Sequence, residues 1–330
     1  MIIDINKLPK KINEVCCFKK KDNGSIIYNY SSKNRDSMVI IELSECEIDK
    51  DFAIAGTTLE MVRKLKPVDS IELEGNKFVI KSKKGTFKGA LLNETPSVLN
   101  TNLQNTLKVN LKALKVLSEF VSDNDKKPVL TGVNIANNGT MVATDSYKLA
   151  RFLGDAAIQV ENNITIPKTF IDLIKNEVDD EEVALSYNNT TVILKVDNIT
   201  YVSNLLAGNY PDVSRIFTNS AMQITFDVER LRESIDLAKN VGIAVGGEKY
   251  LPLTFDNGNL IANGVSIYET TLSETIPSEY NFTLSIEAIE LVLKSIENKT
   301  INLGYNSDTK PIQINDNGIE YIVLPIKINN

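Results

Sequence analysis

A switch between two hydrophobic periods recurs six times along this 330-residue chain. Few sequence features constrain a fold more. In a strand apolar residues alternate with period 2, whereas in a helix they return after 3 or 4. Near Ile5, Ile54, Val109, Ile166, Phe226 and Leu284 a short alternating run gives way to a helical one. Four of these anchors are followed at +5 and +8 by an apolar pair: Leu59 and Val62, Leu114 and Leu117, Ile171 and Ile174, Ile289 and Val292. After Phe226 the pair is Leu231 and Ile235, and after Ile5 the spacing is loosest, with Leu8, Ile12 and Val15. Alternate anchors lie 112 (Ile54 to Ile166), 118 (Ile166 to Leu284) and 117 residues apart (Val109 to Phe226). The chain therefore reads as three copies of a two-part domain. Repeats of this kind act through overall shape before any single motif does.

Behind each switch comes a meander. IELEG with KFVIKSKKGTFKGALL, VALSYNNTTVILKVDNITYVSNLL and INLGYNSDTKPIQINDNGIEYIVLPI each hold three alternating runs joined by Gly, Asn and Asp turns. PVLTGVNIANNGTMVATDSYKLARF and LPLTFDNGNLIANGVSIYETTLSETI follow the same order. The unit is β-α-β-β-β, used six times, and the fold class is α+β. Boundaries belong where a closing strand meets polar turn residues, at NETPSVLNTN and FTNSAM. They predict domains over residues 1–105, 106–218 and 219–330. Two helices and two meanders per domain would put helices on one face and sheets on the other. Three such domains curve without closing a circle, but a two-fold dimer closes it.

Several chemistries are excluded or weakened. There is no histidine, which removes the usual general base and most zinc sites. Cys16, Cys17 and Cys46 are odd in number and two are adjacent, as expected of reduced thiols. No apolar run is long enough to span a membrane and MIIDINKLPKK lacks signal-peptide order, so a cytoplasmic protein is expected. No phosphate loop occurs, Gly246-Gly247 reads as a helix-end loop, and the acidic run Asp179 to Glu182 lacks calcium-loop spacing. Neither a metal nor a cofactor is implied. The net charge of −7 disfavours general nucleic-acid affinity. Yet the first three helices are net basic, with Lys7, Lys10, Lys11, Arg63, Lys64, Lys66, Lys112 and Lys115. Lys19, Lys20 and Lys21, then Lys126 and Lys127, then Lys249 fall at equivalent loops after the first helix of each repeat. Such a face holds a phosphate backbone by charge alone, without reading sequence.

Four further stretches carry a resemblance. PVLTGV (128–133) with VATDSYKLA (142–150), NYPDVSRIF (209–217), and EYIVLPIKI (320–328) are similar to the middle domain, the second linker and the C-terminal strand of the bacterial DNA polymerase III beta subunit family, the sliding clamps. ITIPKTFIDLIKNE and FTLSIEAIELVLKSI resemble its second-half helices. The likeness covers some two-thirds of the chain, from about Leu107 onward; before that it rests on repeat position.

The resemblance implies a non-enzymatic processivity factor. Three-domain chains pair head to tail into a ring around double-stranded DNA, opened by a clamp loader. The DNA polymerase catalytic subunit and other proteins dock short peptides in a pocket. Matching that pocket here gives Leu130, Thr144, Ser146, Tyr147, Lys148, Leu149, Pro211, Arg215, Ile216, Pro311, Ile322, Val323, Leu324, Pro325, Ile326 and Lys327. DNA contacts would fall to Lys19, Lys20, Lys21, Lys126 and Lys127. The homodimer interface would pair Phe87 with the segment of Ile243 and Val245. Family pockets often carry Gly-His-Arg where this chain has Ser146-Tyr147-Lys148, so partner preference is expected to differ. The chain is shorter than typical relatives, mostly in the first domain, as in a compact clamp of a phage or other mobile element. The alternative is a clamp-derived peptide-binding module that does not close into a ring.

Overall fold

The computed structural model describes residues 15–21, 24–30, 36–43, 48, 50–58, 61, 68–94, 103–154, 160–245, 252–256, 259–262, 268–271 and 281–326. The anchors Ile54, Val109, Ile166, Phe226 and Leu284 are all buried strand residues. They lie in β4 (Phe52–Ala55), β8 (Asn105–Asn110), β12 (Ile164–Pro167), β16 (Met222–Asp227) and β20 (Asn281–Ser285). The last four run directly into helices α1 (Leu111–Leu117), α2 (Lys168–Ile174), α3 (Val228–Val245) and α4 (Ile286–Ser295). The pairs Leu114 and Leu117, Ile171 and Ile174, Leu231 and Ile235, and Ile289 and Val292 are buried on the inner faces of those helices. Ile5, Leu59 and Val62 lie outside the described residues.

Each helix is followed by its meander. These are β9 (Gly132–Ile135), β10 (Met141–Thr144) and β11 (Lys148–Phe152) after α1, and β13 (Glu182–Tyr187), β14 (Thr191–Val196) and β15 (Ile199–Asn204) after α2. After α3 come β17 (Pro252–Asp256), β18 (Asn259–Ala262) and β19 (Tyr268–Thr271), and after α4 come β21 (Thr300–Tyr305), β22 (Ile312–Asp316) and β23 (Ile319–Val323). Nearer the start lie β1 (Val15–Lys21), β2 (Gly24–Tyr30) and β3 (Ser37–Leu43), then β5 (Val68–Glu74), β6 (Lys77–Ser82) and β7 (Gly85–Ala90). The fold is α+β with sheet dominant.

Strand pairing adds what the repeat alone does not specify. The leading strand of each β-α-β-β-β unit joins the meander of its neighbour: β8 pairs with β13 while β12 joins β9, and β16 pairs with β21 while β20 pairs with β17. Within the third repeat the exchange is reciprocal, β16 pairing with β21 and β20 with β17. The closing strands then join across repeats. β3 pairs antiparallel with β15, from Ser37↔Ser203 to Ile41↔Ile199. β11 pairs antiparallel with β23, from Lys148↔Val323 to Phe152↔Ile319.

The chain packs as two compact units, Met1–Leu111 with Ile166–Ala207, and Lys112–Thr165 with Gly208–Asn330. The first carries the eight-stranded sheet β4-β1-β2-β3-β15-β14-β13-β8 and the three-stranded sheet β5-β6-β7. Met38, Ile40, Cys17, Ala53, Ile193 and Val202 form one apolar cluster across it. Cys16 and Cys17 are buried and not joined in a disulfide, and burial pushes the Cys16 thiol well above its usual value. The second carries β12-β9-β10-β11-β23-β22-β21-β16, save for the end of β12, and the four-stranded sheet β19-β18-β17-β20. Its α3 and α4 are tied by Arg232, which donates to the carbonyls of Leu293 and Ile296 at the end of α4, and by Lys239 to Glu290 at 2.8 Å. No helix among the described residues is long and apolar enough to cross a membrane.

Candidate peptide-binding site

The turn between β10 and β11 is built by its own side chains. Asp145 Oδ1 accepts the N–H groups of Tyr147 and Lys148, both at 2.8 Å. The Thr144 hydroxyl donates to the Lys148 carbonyl at 2.7 Å and accepts the Ser146 N–H at 3.0 Å. Asp and Thr make such turns because a short polar side chain can stand in for a backbone partner. Ser146 sits at φ 85°, in left-handed space that favours glycine. The other Asp145 oxygen binds the Lys148 ammonium, so that cation is neutralised within the turn. Tyr147 is left 73% exposed at the tip.

Beneath the turn lies an apolar floor. Leu149 faces Ile322 across the β11–β23 ladder, and together with Val142 they form a buried cluster. The segment 208–217 lies over it, with Tyr210, Val213 and Phe217 packed against the cluster. Its Tyr210 hydroxyl accepts the Thr144 N–H at 3.0 Å. Burial pushes the Tyr210 phenol far up, against the pull of that hydrogen bond, so it stays neutral. Pro211, Arg215 and Ile216 are exposed on the same segment. Asp212 caps it by accepting the Ser214 N–H at 2.9 Å, which holds its carboxyl below the usual range. Beyond β23 the ladder continues, with the Leu324 N–H donating to the Tyr147 carbonyl at 3.0 Å. The Ile326 N–H donates to the Thr283 carbonyl at 2.9 Å.

The sixteen matched residues therefore divide by depth. Leu130, Thr144, Leu149, Ile322 and Val323 are buried and shape the site from below. Ser146, Tyr147, Pro211, Arg215, Ile216 and Ile326 are exposed, while Lys148, Leu324 and Pro325 are half-buried. Pro311 is half-buried one step before Ile312, which opposes Val323. Lys327 lies outside the described residues. Exposed apolar side chains over a rigid floor, with one arginine beside them, can desolvate the hydrophobic residues of a short peptide. Residue matching missed Tyr210, Val142, Val213, Phe217 and the pair Arg151 and Glu320. NYP flagged Tyr210 only as part of a linker, and Arg151 meets Glu320 only once the β11–β23 register is known.

The basic residues are placed unevenly. Lys19, Lys20 and Lys21 were expected in a loop but belong to β1, opposite Ile26, Ser25 and Gly24 of β2. A run of three lysines lacks apolar alternation, yet the hairpin satisfies its backbone. Lys19 and Lys20 are exposed there, and the Lys20 N–H donates to Asp51 at 2.8 Å. Lys126 and Lys127 do sit in an exposed turn, before Pro128. Lys112 pairs with Glu297 at 2.6 Å and Lys175 with Asp172 at 2.6 Å, so helix lysines are not uniformly available to phosphate. Lys7, Lys10, Lys11, Arg63, Lys64, Lys66 and Lys249 lie outside the described residues. Phe87 is a half-buried residue of β7, its ring 5.8 Å from that of Phe78. Ile243 and Val245 lie in the last turn of α3. Among the described residues no group of three or more Cys, Asp or Glu could hold a metal ion. The residues of 179–182 are exposed.

Residues 104–212 match the DNA polymerase III beta subunit, central domain. A beta sliding clamp from Streptococcus pneumoniae serotype 4 is 26% identical over 342 aligned positions, covering 93% of this chain and 87% of that protein. The crystal structure of the DNA polymerase III beta subunit from Thermotoga maritima superposes with a TM-score of 0.79 at 19% identity, covering 98% of this chain and 94% of that one. The Helicobacter pylori beta clamp, solved bound to a DNA ligase peptide, superposes with a TM-score of 0.75 at 19% identity, over 96% and 93% of the two chains. The central-domain match, relatives spanning most of the chain and a shared architecture agree: residues 104–212 match the central domain of the DNA polymerase III beta subunit, and the chain as a whole is similar to the bacterial sliding clamps.

Proposed function

We propose that two copies of this DNA polymerase processivity factor close head to tail into a ring around duplex DNA. The observation that carries the proposal is a pair of open strand edges. Closing strands of the meanders join twice within the chain, β3 with β15 and β11 with β23. Of the other two closing strands, β7 is bonded to β6 and β19 to β18, and among the described residues each has its other side open. An open edge is a template for another chain. Joining β7 of one copy to β19 of the next repeats the two internal joints, and doing so twice closes a cyclic dimer. Phe87 lies within β7 and would be covered there, beside the partner's segment that carries Ile243 and Val245.

A closed ring holds DNA by topology, so its contacts need only be weak and sequence-independent. Lys126 and Lys127, with Lys19 to Lys21, supply such contacts to phosphate. The surface around Tyr147, Arg215, Ile216 and Ile326 takes the peptides of a polymerase catalytic subunit, a clamp loader and other replication proteins. The three repeats, 1–105, 106–218 and 219–330, are the domains of that ring, and the protein works in the cytoplasm as a binding platform rather than an enzyme.

The test is retention. Loaded protein should stay on nicked circular DNA through gel filtration and be lost once the circle is cut. Light scattering should give about twice the 36.6 kDa chain mass. Equal retention on both DNAs, or a monomer at micromolar concentration, refutes the ring and leaves the peptide-binding module.

A further inference from the structure

We infer that Arg151, Glu320 and Phe217 form a clasp that positions the wall of the peptide site, making Arg151 a positioning residue for partner capture. The inference rests on the peptide site proposed above and adds residues that the family match did not supply. Arg151 and Glu320 face each other across the β11–β23 ladder. The guanidinium donates to Glu320 Oε2 through Nε at 2.6 Å, and its Nη2 lies 2.5 Å from the same oxygen in an ion pair. Both side chains are largely covered, at 17% and 19% exposure. The same guanidinium carbon lies 3.4 Å from the centroid of the Phe217 ring. Arginine suits this double duty because its flat cation can stack on a ring while its edge hydrogen-bonds a carboxylate.

Phe217 ends the segment that carries Pro211, Arg215 and Ile216. The other end is held by the Tyr210 hydroxyl on Thr144. Between these fastenings Val213 packs on the buried cluster, Asp212 accepts the Ser214 N–H, and a short 3-10 turn, Ser214–Ile216, carries Arg215 and Ile216 up to Phe217. Arg215 makes its own contact with a peptide, whereas Arg151 acts through Phe217. Loosening the clasp therefore frees one end of the wall while β10, β11 and β23 stay paired. A wall that must be ordered on binding gives up affinity in proportion to the order it lacked.

Two readouts separate this from the underlying site proposal. The first needs no peptide. In Arg151→Met, hydrogen exchange at the Ile216 amide, which donates to the Val213 carbonyl at 3.0 Å, should quicken about tenfold, with exchange in β10 and β23 unchanged. Arg151→Lys, which keeps the ion pair but not the flat stack, should fall between. The second uses a labelled copy of the DNA ligase peptide seen on the Helicobacter pylori clamp. Affinity should drop about fivefold to tenfold in Arg151→Met and in Glu320→Gln, mainly through faster dissociation. Unchanged amide exchange overturns the clasp whatever the peptide does. Faster exchange with undiminished peptide affinity overturns its role in capture. If wild type fails to bind that peptide, the site proposal falls, and the exchange result still decides whether the clasp exists.

Discussion

Leu149→Ala gives the sharpest check on how the site is built. The side chain is 2% exposed and belongs to the cluster with Val142 and Ile322. Removing its isopropyl group takes apolar surface from that cluster and leaves a cavity. Tyr210, Val213 and Phe217 roof the cluster from a segment fastened at Thr144 and Arg151, so collapse into the space is limited. A poorly collapsing Leu→Ala site costs about 3 kcal/mol, within a usual range of roughly 2–5. For a folding unit of 150–250 residues that lowers the melting temperature by about 6–12 °C. Calorimetry and urea denaturation of wild type and variant measure it. Peptide affinity at low temperature should fall too, because the roof carries Arg215 and Ile216. A loss of less than about 1 kcal/mol shows that Leu149 is not part of a rigid floor. Arg215→Ala is the complementary variant: the side chain is exposed, so affinity should fall with stability nearly unchanged.

Three further outcomes follow from single residues. Ser146 holds φ 85°, so Ser146→Val should destabilise by about 2 kcal/mol, while Ser146→Gly stays neutral or slightly stabilising in chemical denaturation. A Cβ on Gly89 would lie 2.2 Å from Phe78 Cζ, so Gly89→Ala must displace a buried ring and should cost about 1–3 kcal/mol, read in the melting curve and in dimer yield. Burial works against the charge on Glu290, yet the ammonium groups of Lys239 and Lys294 outweigh it and hold the carboxyl below its ordinary value. Its stabilisation is therefore present above the unfolded carboxylate value, about pH 4.3, and lost as the pH falls through the folded value. Wild type should melt higher than Glu290→Gln at pH 7 and converge with it once the pH has fallen through the lowered folded value; a gap that persists in strong acid refutes the assignment.

Local period was legible and partnership was not. Ile166, Ile171 and Ile174 announce a strand and a helix because burial of one face leaves a pattern in a single segment. The exchange of β8 and β12 between meanders leaves none, since strand pairing is decided by residues far apart in sequence. The same limit hid the clasp: Arg151 and Glu320 are 169 positions apart and each reads alone as an exposed strand charge. Motif matching did locate the turn at Thr144 to Lys148, whose side chains act on their own neighbours. It could not tell that Lys148 is already bound by Asp145. Lys19 to Lys21 show the opposite error, where a run of like charge looked like a loop although its backbone is paired in β1.

The two internal joints bear on where the proposed ring can part. The β3–β15 joint is sealed beyond its ladder at both ends, by the Asn204 N–H on the Asp36 carbonyl at 2.8 Å and the Glu42 N–H on the Asn198 carbonyl at 3.0 Å. Inside it the Ser37 hydroxyl meets that of Ser203 at 2.7 Å, both fully buried. The β11–β23 joint carries the Arg151 and Glu320 pair and is extended by the Leu324 N–H on Tyr147. Parting either would expose buried polar groups and break a ladder within one chain, which costs far more than leaving an edge in water. The seam between copies would be formed on β19, a strand of only 4 residues, and no peptide bond crosses it. The proposed ring should therefore open between its subunits while both internal joints stay shut. A disulfide engineered across the β7–β19 seam should block loading onto closed circles, whereas one across β3–β15 should leave loading intact; the reverse result would place the opening within the chain.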